Sequence, residues 1–270
     1  MGLDAADEEQ PPANLNPDVP HIARIYDYWL GGRNNYAADR KVAEEVLAAL
    51  PITPVSVLAN RAFLGRSVHH LAAEAGIRQF LDIGTGLPSA NNTHEVAQRA
   101  APTTRVVYVD NDPIVLVHAK ALLTSSPQGT TTYIEADLRN PDIILKKAAT
   151  TLDLTQPVGL MLVAILHCVT DEDNPYEIVT TLLNAIPPGS HLILSHPASD
   201  IVAEEVRMAS TRMNTSMAEK VTFRSHEQVL RFFDGLELLE PGLVPTTQWR
   251  PEPGADTTPM PVWAGIARKP

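Results

Sequence analysis

The chain holds only one cysteine, Cys168, in 270 residues, which excludes an intramolecular disulfide and fits a reducing cytoplasm as the expected location. No run of about 18 apolar residues occurs, so no transmembrane helix and no membrane partner are expected. Basic charge is scarce: 21 Lys and Arg stand against 32 Asp and Glu, a net charge of −11. That balance argues against a broad nucleic-acid surface, which needs clustered cations. The opening stretch MGLDAADEEQPP is acidic and has no apolar core, so it does not read as a signal peptide. The histidines show no HExxH spacing and one cysteine cannot make CxxC, so no metal site is expected. Internal repeats and low-complexity tracts are also lacking.

What is present is an ordinary apolar fraction, 44%, and 23 prolines that often stand where helices begin. Residues 1–19 are polar, acidic and proline-bearing, and are expected to be flexible. From Pro20 three amphipathic segments follow, broken at Gly31-Gly32 and Pro51 and closed by Gly76. Thr53-Pro54 reads as an N-cap followed by proline at the first helical position. Residues 20–77 are therefore expected to form an N-terminal helical cap. Residues 78–270 alternate strand and helix. Strands are expected at Phe80–Ile83, Arg105–Val109, Thr131–Ala136, Val158–Ile165 and His191–Ser195. Asn92 with Glu95, Asp112-Pro113, Asn140-Pro141 and Asn174-Pro175 mark the helix starts between them. A longer helix with Val202, Val206, Ala209 and Met213 on one face comes next. A short helix capped by Ser225 to Gln228 and two last strands, Leu236–Glu240 and Val262–Ala267, complete the chain. Alternation of this kind implies a mostly parallel, doubly wound α/β sheet.

The chain is organised around FLDIGTGLPSA, residues 80–90. An apolar strand breaks into Gly84-Thr85-Gly86, a tight turn with little side-chain bulk. Backbone can then approach a ligand closely. Asp82 stands two residues before the first glycine. A carboxylate there would repel a pyrophosphate and favour a ligand carrying an ammonium group.

This stretch resembles motif I, (D/E)-x-G-x-G, of the class I S-adenosylmethionine-dependent methyltransferases, with Asp82, Gly84 and Gly86 in the matching positions and Pro88 where a third glycine is frequent. The resemblance runs through residues 78–196. With DYWLGGRNNYAADR near the N-terminus, the chain resembles more closely an actinobacterial group of S-adenosyl methyltransferases of unassigned substrate. It implies a Rossmann-like, seven-stranded sheet, six strands parallel and one antiparallel, with the antiparallel strand between the fifth and sixth. It implies S-adenosyl-L-methionine as cofactor and a small-molecule methyl acceptor with an oxygen or nitrogen nucleophile. Oligomeric state stays open.

Asp110 closes the second strand, 24 residues after Gly86, where an acid accepts hydrogen bonds from ribose hydroxyls. Asp112 is assigned to capping because Pro113 follows it. Asn111 is expected beside the adenosine. Asp137 closes the third strand. The resemblance implies that it takes the adenine amino group while the Leu138 N–H reads the ring. After the fourth strand, Ala164-Ile165-Leu166-His167-Cys168 is expected to pass the methyl-donating sulfur, with His167 a candidate general base or a structural residue. Asp171 and Asp173 read as caps of the following helix rather than cation ligands. The resemblance also points to Tyr26 and Asn35, in a segment expected to cover the methionine end of the cofactor, without giving either a role. Two other functions are compatible with such a turn. A nicotinamide-dependent oxidoreductase would want G-x-G-x-x-G/A, and the last position here is Ser89. A catalytically silent S-adenosylmethionine-binding protein needs only the turn and the acids.

Overall fold

The computed structural model describes residues 16–122 and 125–270. Residues 1–15 of the expected flexible N-terminus lie outside them. Three helices come first, α1 (Ile22–Trp29), α2 (Ala37–Ala49) and α3 (Thr53–Ala73). Then follow β1 (Gln79–Ile83), α4 (Thr93–Ala100), β2 (Arg105–Asp110), α5 (Pro113–Leu122), β3 (Thr130–Glu135), α6 (Pro141–Ala148) and β4 (Gly159–Val163). The chain continues through α7 (Pro175–Asn184), β5 (His191–Pro197), α8 (Ala203–Ser216), α9 (His226–Leu230), β6 (Glu237–Leu238), β7 (Val244–Pro245) and β8 (Val262–Arg268).

Local chemistry explains most of these boundaries. Prolines open α6 and α7 at positions where a missing N–H costs nothing. Asp112 caps α5, its Oδ1 accepting the Ile114 N–H at 2.9 Å. Glu95 reaches back to the Asn92 N–H at 2.9 Å and closes the start of α4. Two expectations shift. The cap of α3 is Ile52, because the Thr53 hydroxyl donates to the Leu50 carbonyl at 2.7 Å instead of accepting a helix N–H. Val202 is not on the buried face of α8. It precedes the helix at φ +44° and is 43% exposed, while Val206, Ala209 and Met213 are buried.

The strands lie in the order β3-β2-β1-β4-β5-β8-β6, with β7 also on β8. β1 to β5 pair in parallel, and β8 runs antiparallel between β5 and β6. The sheet has eight strands rather than seven because the sixth position is split. Glu237 and Leu238 pair with the far end of β8, and Val244 and Pro245 pair with its start. Between them Pro241 has no N–H for a ladder and Gly242 turns at φ +91°. One direction therefore holds seven strands, two of them two residues long.

Alternate residues of the strands face two apolar layers. Leu81, Val107, Leu160, Leu162 and Leu192 meet Ile144, Ile178 and Leu182 of α6 and α7 on one face. Phe80, Val106, Met161 and Ile193 meet Phe63, Leu64, Val68 and Ala97 of α3 and α4 on the other. The third helix of the expected cap thus packs on the sheet. α1 and α2 pack with α8, a helix from the far end of the chain, in a separate cluster around Ile25, Val46, Leu50, Ala209 and Met213. No single described helix is long and apolar enough to cross a membrane.

Candidate functional site

The carboxyl ends of β1, β2, β3 and β4 surround a solvent-open cavity enclosing about 1000 Å³ of empty space, which α1 and α3 border from above. Its floor is the glycine turn. Gly84 takes φ +76°, and an added Cβ would lie 2.3 Å from the Ile165 side chain. Only glycine fits that contact. Gly86 takes φ +63°, and a Cβ there would meet nothing within 4 Å. Its open face is where a ligand can lie against backbone. The Thr85 hydroxyl beside it is buried without a hydrogen-bond partner.

Three acids line the cavity around this turn. Asp82 is buried and accepts the Thr93 hydroxyl at 2.6 Å. Burial pushes its carboxyl up to about 6. The Thr93 bond and the positive Arg61 oppose that rise, and Asp110 adds to it. Asp110 accepts the Gly86 N–H at 2.9 Å and the Asp112 N–H at 3.0 Å, and burial raises its pKa as well. It braces the turn and lines the cavity together with Asn111. Asp137 also lines the cavity but does not stand alone. Arg139 clasps it at 3.1 Å, then reaches Asp173 at 3.2 Å and the Cys168 carbonyl at 2.8 Å. The loops after β3 and β4 are tied together there, with Leu138 buried between them.

The other wall is strained. Ala164 ends β4 at φ +52°, a region that costs a non-glycine residue about 1 kcal/mol or more. Its N–H donates to the Ser195 carbonyl at 3.0 Å and lies 3.1 Å from Ser195 Oγ. Ser195 Oγ donates to Asn60 Oδ1 at 2.6 Å, and Asn60 Nδ2 donates to the Tyr26 hydroxyl at 2.9 Å. This chain of bonds carries the orientation of β5 into α3 and α1. His167 follows in a 3-10 turn, Leu166–Cys168, buried beside His196 and Phe223. Its Nδ1 has no hydrogen-bond partner. Burial, reinforced by Arg224, lowers its pKa to about 4. Arg224 is fully buried and holds this turn, donating to the Leu166 and Val169 carbonyls at 2.9 Å each. It also reaches Asp171 at 2.7 Å.

Of the residues expected at the site, Asp82, Gly84, Thr85, Gly86, Asp110, Asn111, Asp137, Leu138, Ala164, His167 and Tyr26 all line the cavity. Asn35 does not. Its Nδ2 is spent on Asp27 Oδ2 at 2.9 Å and the Gly32 carbonyl at 3.1 Å, and its Oδ1 accepts from Arg40. It closes the turn after α1. Asp173 bonds Thr170 and Arg139, and Asp171 faces Arg224. Sequence reasoning passed over His21, Asn60, Arg61, Arg139 and Glu219, which also line the cavity. None sits in a short motif, so only their packing reveals them. His21 links α1 to the floor, its Nδ1 lying 3.0 Å from Asp112 Oδ2.

Comparisons with known proteins bear on the family and the fold. A family model described as S-adenosyl methyltransferase matches residues 8–270. The chain is similar to a DUF574 family protein of Streptomyces avermitilis, 44% identical at a TM-score of 0.90, over 94% of this chain and 99% of that one. It is also similar to a candidate methyltransferase of Thermobifida fusca, 39% identical at a TM-score of 0.88, over 96% and 98% of the two chains. An O-methyltransferase family 2 protein of Planctomyces limnophilus, 12% identical at a TM-score of 0.50 over 87% of this chain and 66% of that one, shares the fold alone. No curated protein matches the sequence.

Proposed function

The chain belongs to the S-adenosyl methyltransferase family and is an S-adenosylmethionine-dependent methyltransferase, and we propose that it methylates an oxygen or nitrogen nucleophile of a small molecule, in the cytoplasm. The family decides against the nicotinamide alternative. The observation that carries the site assignment is the convergence of Asp82, Asp110 and Asp137, from three adjacent strand ends, on one cavity beside the open face of Gly86.

The residues fit the cofactor. Asp82 is a buried carboxylate whose charge an ammonium group would stabilise, and Arg61, which lines the same cavity while its Nη2 donates to the Ala90 and Asn91 carbonyls, would face the adjoining carboxylate of an amino acid. The orphaned Thr85 hydroxyl and the open Gly86 face would receive the chain between amino acid and ribose. Asp110 would accept from the ribose hydroxyls. Asp137, with Leu138, would take the adenine edge while Arg139 keeps its remaining charge balanced. When bound, the sulfonium supplies an already activated methyl group, so alignment and exclusion of water carry much of the rate.

His167 is neutral at physiological pH and is assigned the acceptor's proton. A conjugate acid near 4 makes it a weak base. The proton it takes becomes strongly acidic only as the acceptor atom gains its new bond, so a weak base suffices late in the transfer.

Two variants separate binding from transfer. Asp110→Ala is expected to weaken S-adenosylhomocysteine binding by roughly 1.5–3 kcal/mol in calorimetry, because bonds to a charged acceptor are lost. Unchanged affinity contradicts the ribose assignment. In a radiolabelled-methyl screen of phenols and amines, His167→Ala is expected to lower turnover on any acceptor found by about 100-fold while sparing cofactor affinity. Persisting turnover makes His167 a structural residue.

A further inference from the structure

We propose that the methyl acceptor is an uncharged, largely apolar small molecule bearing one hydroxyl or N–H group, held in a second chamber that opens onto the first; this rests on reading the first cavity as the S-adenosylmethionine site. The chamber, about 680 Å³ of space counted with its open mouth, lies between α1, α2, α8, the start of α3 and the segment around Val262. Ile22, Tyr26, Asn60, Ala164 and His167 line both cavities. The two cavities therefore adjoin at the strained end of β4 and the His167 ring. That is where the methyl group has to pass.

The walls state what the occupant is. Among the described residues, no Asp, Glu, Lys or Arg lines the chamber. A charged acceptor would be desolvated there with no partner, at a cost of several kcal/mol. Trp29, Phe223, Leu50 and Met213 present apolar surface suited to a flat, hydrophobic body. The polar wall atoms are already committed to the protein. Thr53 Oγ1 donates to the Leu50 carbonyl at 2.7 Å and Ser56 Oγ to the Ile52 carbonyl at 3.0 Å. Asn60 is held between Ser195 and Tyr26. His167 is the exception: its ring lines the chamber and is 6% exposed, while its enclosed Nδ1 has no hydrogen-bond partner. An acceptor with a single hydrogen-bond donor matches a wall with a single unsatisfied polar side chain among the described residues. Acceptors that carry phosphate, carboxylate or ammonium groups do not match it.

The transfer balances within this arrangement. A bond forms from the acceptor oxygen or nitrogen to the methyl carbon as the carbon–sulfur bond breaks. Sulfur keeps the electron pair, and the acceptor's proton goes to the His167 imidazole. Entry of a charged nucleophile is not needed, because the proton leaves inside the chamber.

The test uses the full chain saturated with S-adenosylhomocysteine and three bicyclic probes of one shape, 2-naphthol, naphthalene-2-carboxylate and 2-naphthylmethylammonium. Calorimetry is expected to show 2-naphthol binding at least tenfold more tightly than either ion. Val206→Phe and Ala209→Leu, which fill the chamber from α8, are expected to weaken 2-naphthol at least tenfold and to leave S-adenosylhomocysteine affinity within twofold. Equal binding of the charged probes, or 2-naphthol binding that neither filling variant alters, overturns the proposal while the cofactor reading stands. So does failure of 2-naphthol to bind a wild-type protein that does bind S-adenosylhomocysteine. Failure of the wild-type protein to bind S-adenosylhomocysteine overturns the cofactor reading and the acceptor assignment with it.

Discussion

At the scale of single residues, Asp82 is the group whose chemistry is most exposed to test. Its carboxyl titrates near 6 because burial disfavours its charge. A ligand ammonium needs the ionised form, so binding lowers the pKa below that value. Cofactor affinity is then near its plateau at about pH 7, about half of it at pH 6 and about one tenth of it at pH 5. Asp82→Asn is expected to bind S-adenosylhomocysteine more weakly at pH 7.5 and to lose this slope. Because Asp110 is also raised by burial, the comparison of wild type with Asp82→Asn isolates the Asp82 contribution. An unchanged slope in the variant assigns it elsewhere. Asp82, Gly86, Asp110 and Asp137 were legible in the sequence because strand, turn and cap follow local rules. Asn35 was not. An amide that closes a turn and one that faces a ligand have the same sequence neighbourhood, and here Asp27 and Gly32 claim it.

Among the elements, the N-terminal motif proves to be a structural knot. Asp27 accepts the Asn34 N–H and Asn35 Nδ2, both at 2.9 Å, and a Cβ on Gly32 would lie 2.1 Å from its carboxylate. Asp39, fully buried, accepts Arg24 Nε at 2.9 Å and the His21 N–H at 2.9 Å, and so sets where α1 begins. These bonds fix the start and end of α1, from which His21 and Tyr26 border the cavity. Arg224 performs the same service for His167, yet lies 58 residues from Leu166, beyond any local pattern. Arg224→Met strands two carbonyls and His196 Nε2 without a donor. It is expected to destabilise the fold by ~3 kcal/mol in urea unfolding. Arg207→Met on α8, whose Glu204 pair is about two-thirds exposed, is the control and is expected to change stability by less than about 0.5 kcal/mol. Similar losses in both would mean that the buried cation does not hold the 3-10 turn. The divided sixth strand was illegible for a related reason. Leu236–Glu240 has strand composition, but only the pairing with β8 shows that two residues of it join the sheet.

For the whole molecule, the strand ends form the first cavity, and helices from both ends of the chain form most of the second. The alternation that predicts the doubly wound sheet spans consecutive residues, so the core was readable. The union of α1 and α2 with α8 is not, because the cluster joins Val46 to Met213 across most of the chain. This division of labour has a consequence for dynamics. His21 and Tyr26 border the cavity from α1, so ligand binding is expected to slow amide exchange in α1 as well as at the strand ends. At a concentration 100 times Kd the ligand should also add about 2.7 kcal/mol to stability. Protection confined to the glycine turn would mean that α1 takes no part in closing the site.

The most direct measurement is calorimetric titration of the protein with S-adenosylhomocysteine, with NAD as the parallel control. Micromolar binding of the first and none of the second is the predicted result. Binding of NAD, or of neither, would contradict the assignment of Asp82, Asp110 and the glycine turn to S-adenosylmethionine.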